Sequence, residues 1–164
     1  MTARYAATTT VPPEKSRGEI ERALVNYGAK KFMYGWGEEE AVLAFVLHEK
    51  QIRFMLPLPH RGDYRINPKT MRTRTPEQLE AAYEQDVRQC WRALLLVIKA
   101  KLEAVAAEIV SFEQEFMAHI VMPDGSLVGD LVLPKINEAY ISGGPVDLLP
   151  SRQLALPAGS SDGA

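Results

Sequence analysis

Two adjacent runs decide the fold class: Ala41-Val42-Leu43-Ala44-Phe45-Val46-Leu47, and Ile52-Arg53-Phe54-Met55-Leu56-Pro57-Leu58. The first is apolar at both parities, as a strand covered on two faces would be. The second alternates apolar Ile52, Phe54, Leu56 and Leu58 with Arg53, Met55 and Pro57, the pattern of a half-buried strand. Pro57 places that strand at an edge or ends it. Only His48-Glu49-Lys50-Gln51 separates the two, too short for a crossover, so they pair antiparallel. Upstream, Lys31-Phe32-Met33-Tyr34-Gly35-Trp36 is aromatic-rich and stops at Gly37. The expectation is a three-stranded antiparallel meander.

Helices flank it. Ser16 followed by Glu19 fits a capping box, and Ile20, Ala23, Leu24 and Tyr27 recur at helical spacing before Gly28. This predicts a short helix from about Arg17 to Tyr27. Downstream, Thr75, Pro76 and Gln78 form a helix start. From there Leu79, Tyr83, Val87, Cys90, Trp91, Leu94, Ile98, Leu102, Val105 and Ile109 make one apolar stripe. At 1.5 Å per residue a helix of ~34 residues is ~50 Å long, longer than the sheet is wide, so it either kinks or packs partly on something else. Phe112, Phe116 and Ile120 either continue that helix or restart the chain. Met117 to Met122 reads as a strand, turned at Pro123-Asp124-Gly125 and pairing with Ser126-Leu127-Val128. Leu131, Ile136, Ala139 and Tyr140, ended by Gly143-Gly144, predict a last short helix. The fold class is α+β in α-β-β-β-α order, with a C-terminal hairpin and short helix. Residues 14–144 form the single domain, between flexible tails at 1–13 and 145–164.

Composition excludes several classes. The chain has 164 residues, 46% of them hydrophobic, so disorder throughout is excluded. A single cysteine, Cys90, excludes a disulfide scaffold and is expected as a buried thiol. No apolar run reaches the ~18 residues of a membrane span, and Met1-Thr2-Ala3-Arg4-Tyr5 is no secretory leader. A cytoplasmic setting without membrane partners is expected. Catalysis, a cofactor and a metal are not expected. His48, His60 and His119 lack zinc-ligand spacing, Glu38-Glu39-Glu40 reads as a solvated turn, and no phosphate loop or nucleophile elbow is present.

Charge gives the functional lead. The net charge is -2, yet residues 1–80 hold 13 Lys/Arg against 10 Asp/Glu, while residues 81–164 hold 6 against 11. Lys50, Arg53, Arg61, Arg65, Lys69, Arg72 and Arg74 face only Glu49 and Asp63 between His48 and Arg74. The loop from Pro59 to Arg74 is long for a compact domain. Two readings stand. Either these cations keep a loop solvated, or they line a groove along a nucleic-acid backbone, with Tyr64, and with Tyr34 or Trp36, stacking bases. Tyr34 and Trp36 equally suit a core or sheet-face role, and Trp91 falls in the core stripe. A rival class is a protein-binding module or host-enzyme inhibitor acting through the long helix, whose overhang would also suit a homo-oligomer.

The element order over about residues 16–110 resembles that of double-stranded-RNA-binding domains and of the single-strand annealing proteins of phage recombination. The start of the long helix, Thr75-Pro76-Glu77-Gln78-Leu79-Glu80, departs from the first of these by lacking a basic cluster. Phe32-Met33-Tyr34-Gly35-Trp36, the Ile52–Pro59 strand and Met122-Pro123-Asp124-Gly125 resemble small proteins of unassigned function encoded in phage and prophage regions. The resemblance implies an accessory role in replication, recombination or counter-defence, and assigns no residue a role. The expectation is non-enzymatic binding of single-stranded nucleic acid, annealing-like, in such a setting.

Overall fold

The computed structural model describes Ala6 and residues 8–146. Helix α1 (Pro13–Asn26) leads into strands β1 (Lys30–Trp36), β2 (Glu40–Leu47) and β3 (Lys50–Pro57). A 3-10 turn at Arg61–Tyr64 precedes helix α2 (Pro76–Ala106), followed by α3 (Phe112–Phe116), a 3-10 turn at Met117–His119, and α4 (Val128–Ser142). The sheet order is β1-β2-β3, antiparallel throughout. The α+β class and the expected order are those found.

One face of β2 builds the core. Ala41, Leu43, Phe45 and Leu47 alternate inward and are buried with Ile52 and Phe54 of β3, Ile20 and Leu24 of α1, and Trp91, Leu95, Ile98 and Leu102 of α2. The other face, also expected to be covered, is shielded less completely. There Val42 and Val46 are half-buried, and Ala44 is buried between its cross-strand partners Met33 and Arg53. Side chains from the neighbouring strands shield this face, which is how β2 can be apolar at both parities. The β2–β3 connection is only His48-Glu49, both left-handed at φ 48° and 63°, the two-residue geometry that follows strand twist.

Helix α1 begins four residues before the expected Arg17, at Pro13, which needs no amide partner in the first turn. Ser16 is therefore no cap; with Ile20 and Leu24 it is buried at fourfold spacing on the inner face. The preceding stretch is held too, since Gln85 donates to the Thr9 carbonyl at 2.9 Å. Within the described residues the 1–13 tail is thus shorter than expected; the rest of it, and nearly all of 145–164, lies outside them. Gly28, at φ 89°, ends α1 as read.

The Thr75–Gln78 capping box opens α2, with bonds of 3.3 and 3.2 Å. The helix has 31 residues and ends before Ile109, which is 75% exposed beyond a left-handed Glu108 rather than in the stripe. Its length is absorbed by the Arg61–Tyr64 turn at one end and by α3 at the other. Cys90 lies half-buried at the core margin instead of fully inside. The chain restarts at Ser111, whose capping box with Gln114 opens α3. The expected strand from Met117 shrinks to single bridges, Ile120 with Ile52 and Val121 with Leu127, around the Gly125 turn. Among the described residues no helix is long and apolar enough to cross a membrane.

Candidate nucleic-acid interface

The basic segment does not form one groove. Lys50 stands at the β2–β3 turn, seven residues and so ~23 Å of strand from Pro57. Its ammonium pairs with Glu113 at 2.9 Å and holds that carboxyl below the usual carboxylate range. Arg53 donates to the Gly125 carbonyl at 2.7 Å, tying β3 to the C-terminal turn. Arg61 pairs with Glu80 at 3.0 Å, with its guanidinium 4.6 Å from the Tyr83 ring centre. Each of these three cations has a partner within the protein.

The Pro59–Arg74 segment is folded rather than loose. After the 3-10 turn, residues 65–74 make a small hairpin finger. Ile66 bridges Thr73, bracketed by Arg74 N–H to Arg65 carbonyl and Asn67 N–H to Arg72 carbonyl, each 2.9 Å. The tip is closed twice, by Met71 N–H on the Asn67 carbonyl at 2.7 Å and by Lys69 N–H on the Asn67 side chain at 2.9 Å. Arg74 braces the base, donating to the carbonyls of Tyr64 (3.0 Å) and Ile66 (3.2 Å). Tyr64 lies edge-on to Tyr83 and donates its hydroxyl to Asp86. Burial, then that carboxylate, pushes its phenol well above the ordinary value. Tyr64 thus roots the finger on α2 and does not present a free ring.

The remaining cations are Arg65, Lys69 and Arg72, all exposed, and no salt bridge holds any of them. From Tyr64 to Pro76 the sequence contains no carboxylate. Strand alternation puts Arg65, Asn67, Arg72 and Arg74 on one face of the finger and Ile66 and Thr73 on the other. At the tip Met71 is 76% exposed and left-handed, φ 55°. That conformation costs a non-glycine residue about 1–2 kcal/mol, and exposure gives it no packing in return.

The other expected aromatics divide. Tyr34 is half-buried against the core, its hydroxyl without a hydrogen-bond partner. Burial raises its phenol, with Glu21 adding and Arg17 opposing. Trp36 stacks on buried Trp91, centres 5.5 Å apart, and stays 54% exposed. The Arg17 guanidinium is 5.0 Å from one ring and 5.5 Å from the other. A cation on the far face of Trp36 would sit at nearly twice that distance from Trp91, so Arg17 does not cover that face. The finger itself was not readable as a hairpin, because its arms lack apolar alternation; Asn67-Pro68 was the available turn signal.

Among the described residues no group of three or more His, Cys, Asp or Glu side chains converges as a metal set. Comparison with protein-family models, with curated proteins and with solved structures gives no match.

Proposed function

We propose that the protein is a non-enzymatic nucleic-acid-binding protein whose contact element is the finger at residues 65–74. One observation carries this reading: Arg65, Lys69 and Arg72 stand exposed on one projecting hairpin, without the carboxylate partners that hold Lys50 and Arg61. Cations without internal partners release condensed counterions from a phosphate backbone when they meet it, which makes binding steeply salt-dependent. The overall charge of -2 does not oppose this. Screening over ~8–10 Å at ordinary ionic strength leaves a projecting element governed by its own charges.

Fluorescence polarisation of labelled single-stranded and duplex oligonucleotides, titrated across salt, tests the reading. Binding should weaken as salt rises, and Arg65→Ala/Lys69→Ala/Arg72→Ala should abolish most of it. Binding that ignores salt, or no binding to either probe at low salt, would overturn the proposal.

A further inference from the structure

Resting on that reading, we infer that the finger enters the minor groove of duplex DNA and that Met71 wedges between base pairs at its tip, bending the duplex.

Three observations converge on the tip. Met71 is both the most exposed large apolar side chain of the finger and held in the left-handed region that such residues avoid. Strain of this kind persists only where the surroundings over-determine it. Here they are hydrogen bonds inside the turn, from Met71 to Asn67 and from Lys69 to the Asn67 side chain. The turn is therefore built to present this side chain outward, since no packing contact explains it. Pro68 precedes it in the same exposed turn, stiffening the tip with a fixed φ.

Size and charge fit the same target. From Arg65 to Pro68 the arm spans three residues, ~10 Å of strand, against a minor-groove depth of ~7.5 Å. With paired strands ~4.8 Å apart, the finger is broader than the ~6 Å width of an unbent minor groove, so its tip reaches the base edges as the groove opens, which a kink toward the major groove brings about. Arg65 stands at the base of one arm and Arg72 beside Met71 at the tip end of the other, so the two cations reach the phosphates from different depths, and Lys69 follows the tip inward. Apolar wedges of methionine or proline size at such positions unstack a base step and kink the duplex by ~20–90°. A single strand offers no closed step to wedge. A-form RNA presents a wide, shallow minor groove that gives a narrow finger little wall to grip. The exposed part of Trp36 is the feature that would favour a single strand instead, by stacking.

A duplex DNA labelled at its two ends with a donor–acceptor dye pair tests this with the full-length protein. The expected result is increased energy transfer on binding, with duplex DNA preferred over single-stranded DNA and over duplex RNA of the same sequence. Met71→Ala keeps the same backbone geometry without the wedge. It should retain salt-dependent binding to duplex DNA and lose the increase in transfer, while Trp36→Ala should keep both. Salt-dependent binding to duplex DNA with unchanged transfer, or bending that survives Met71→Ala, overturns the wedge and leaves the finger as a phosphate contact. Tighter binding to a single strand, lost in Trp36→Ala, assigns the site to base stacking and also overturns it. No salt-dependent binding to any of these probes overturns the function on which the wedge rests.

Discussion

The turn at His48–Arg53 and the finger at residues 65–74 are alike in sequence character and opposite in surroundings. Both reverse the chain through left-handed residues that are not glycine, and both are basic. At the first, three side chains find partners across the fold. His48 stacks on Phe112 at 4.7 Å, Lys50 pairs with Glu113, and Arg53 bonds to the Gly125 carbonyl. At the second, the tip is closed by its own backbone and Asn67, and no salt bridge holds the exposed Arg65, Lys69 or Arg72. The same local chemistry is architecture where tertiary contacts complete it, and we propose that it serves recognition where they do not.

The largest expected effect separates the two turns by stability. Phe112 is 4% exposed and carries the His48 stack, so Phe112→Ala should cost about 3–5 kcal/mol. The Arg65/Lys69/Arg72 triple alanine variant should stay within about 0.5 kcal/mol of the parent, both read by urea unfolding. A finger variant that unfolds the protein would make the finger structural and erase the contrast.

A smaller effect concerns the strained tip. Asparagine tolerates the left-handed region, so Met71→Asn should raise stability by about 0.5–1 kcal/mol through strain relief. The same measurement on Glu49→Asn, in a turn already clamped from outside, is the internal comparison. Loss of stability in Met71→Asn would mean that the methionine packs, against its exposure.

The smallest effect sharpens the clamped side through pH. His119 lies against Phe54, ring centres 4.1 Å apart. Burial, with the Lys101 ammonium second, holds its imidazole below the ordinary value. The unfolded chain then takes up the proton first, near the ordinary ~6.5. The contribution is whole above that pH and is lost as pH falls toward the lowered folded value. Melting temperature should therefore drop between pH 7 and 5, and His119→Phe, which keeps the ring contact, should flatten that part of the profile. An unchanged slope in His119→Phe would remove His119 from the account.

Legibility followed the strength of local signals. Thr75, Pro76 and Gln78 announced α2 because a cap, a first-turn proline and a reciprocal side chain all act within four residues. The meander was visible because β2 and β3 carry long apolar runs with a short break between them. The end of α1 was plain at Gly28, but its start was not: Ser16 carries a capping signature, and only the packing of α1 on α2 assigns it to the inner face. The basic segment showed its charge and length but not its division. Which cations are neutralised depends on Glu80, Glu113 and the Gly125 carbonyl, contacts 19 to 72 residues away in sequence. No local pattern encodes those distances.

On the proposed reading, unpartnered charge on the finger, and not basic charge in general, holds a phosphate backbone. The slope of log Kd against log salt for a duplex DNA, measured for the parent, for Arg65→Ala/Lys69→Ala/Arg72→Ala and for Lys50→Ala/Arg53→Ala, tests it most directly. With about 0.9 of slope per phosphate contact, the finger variant should lose about 3 units of slope, and the Lys50/Arg53 variant should keep the parent's. Equal losses in the two variants, or a parent slope near zero, would contradict it.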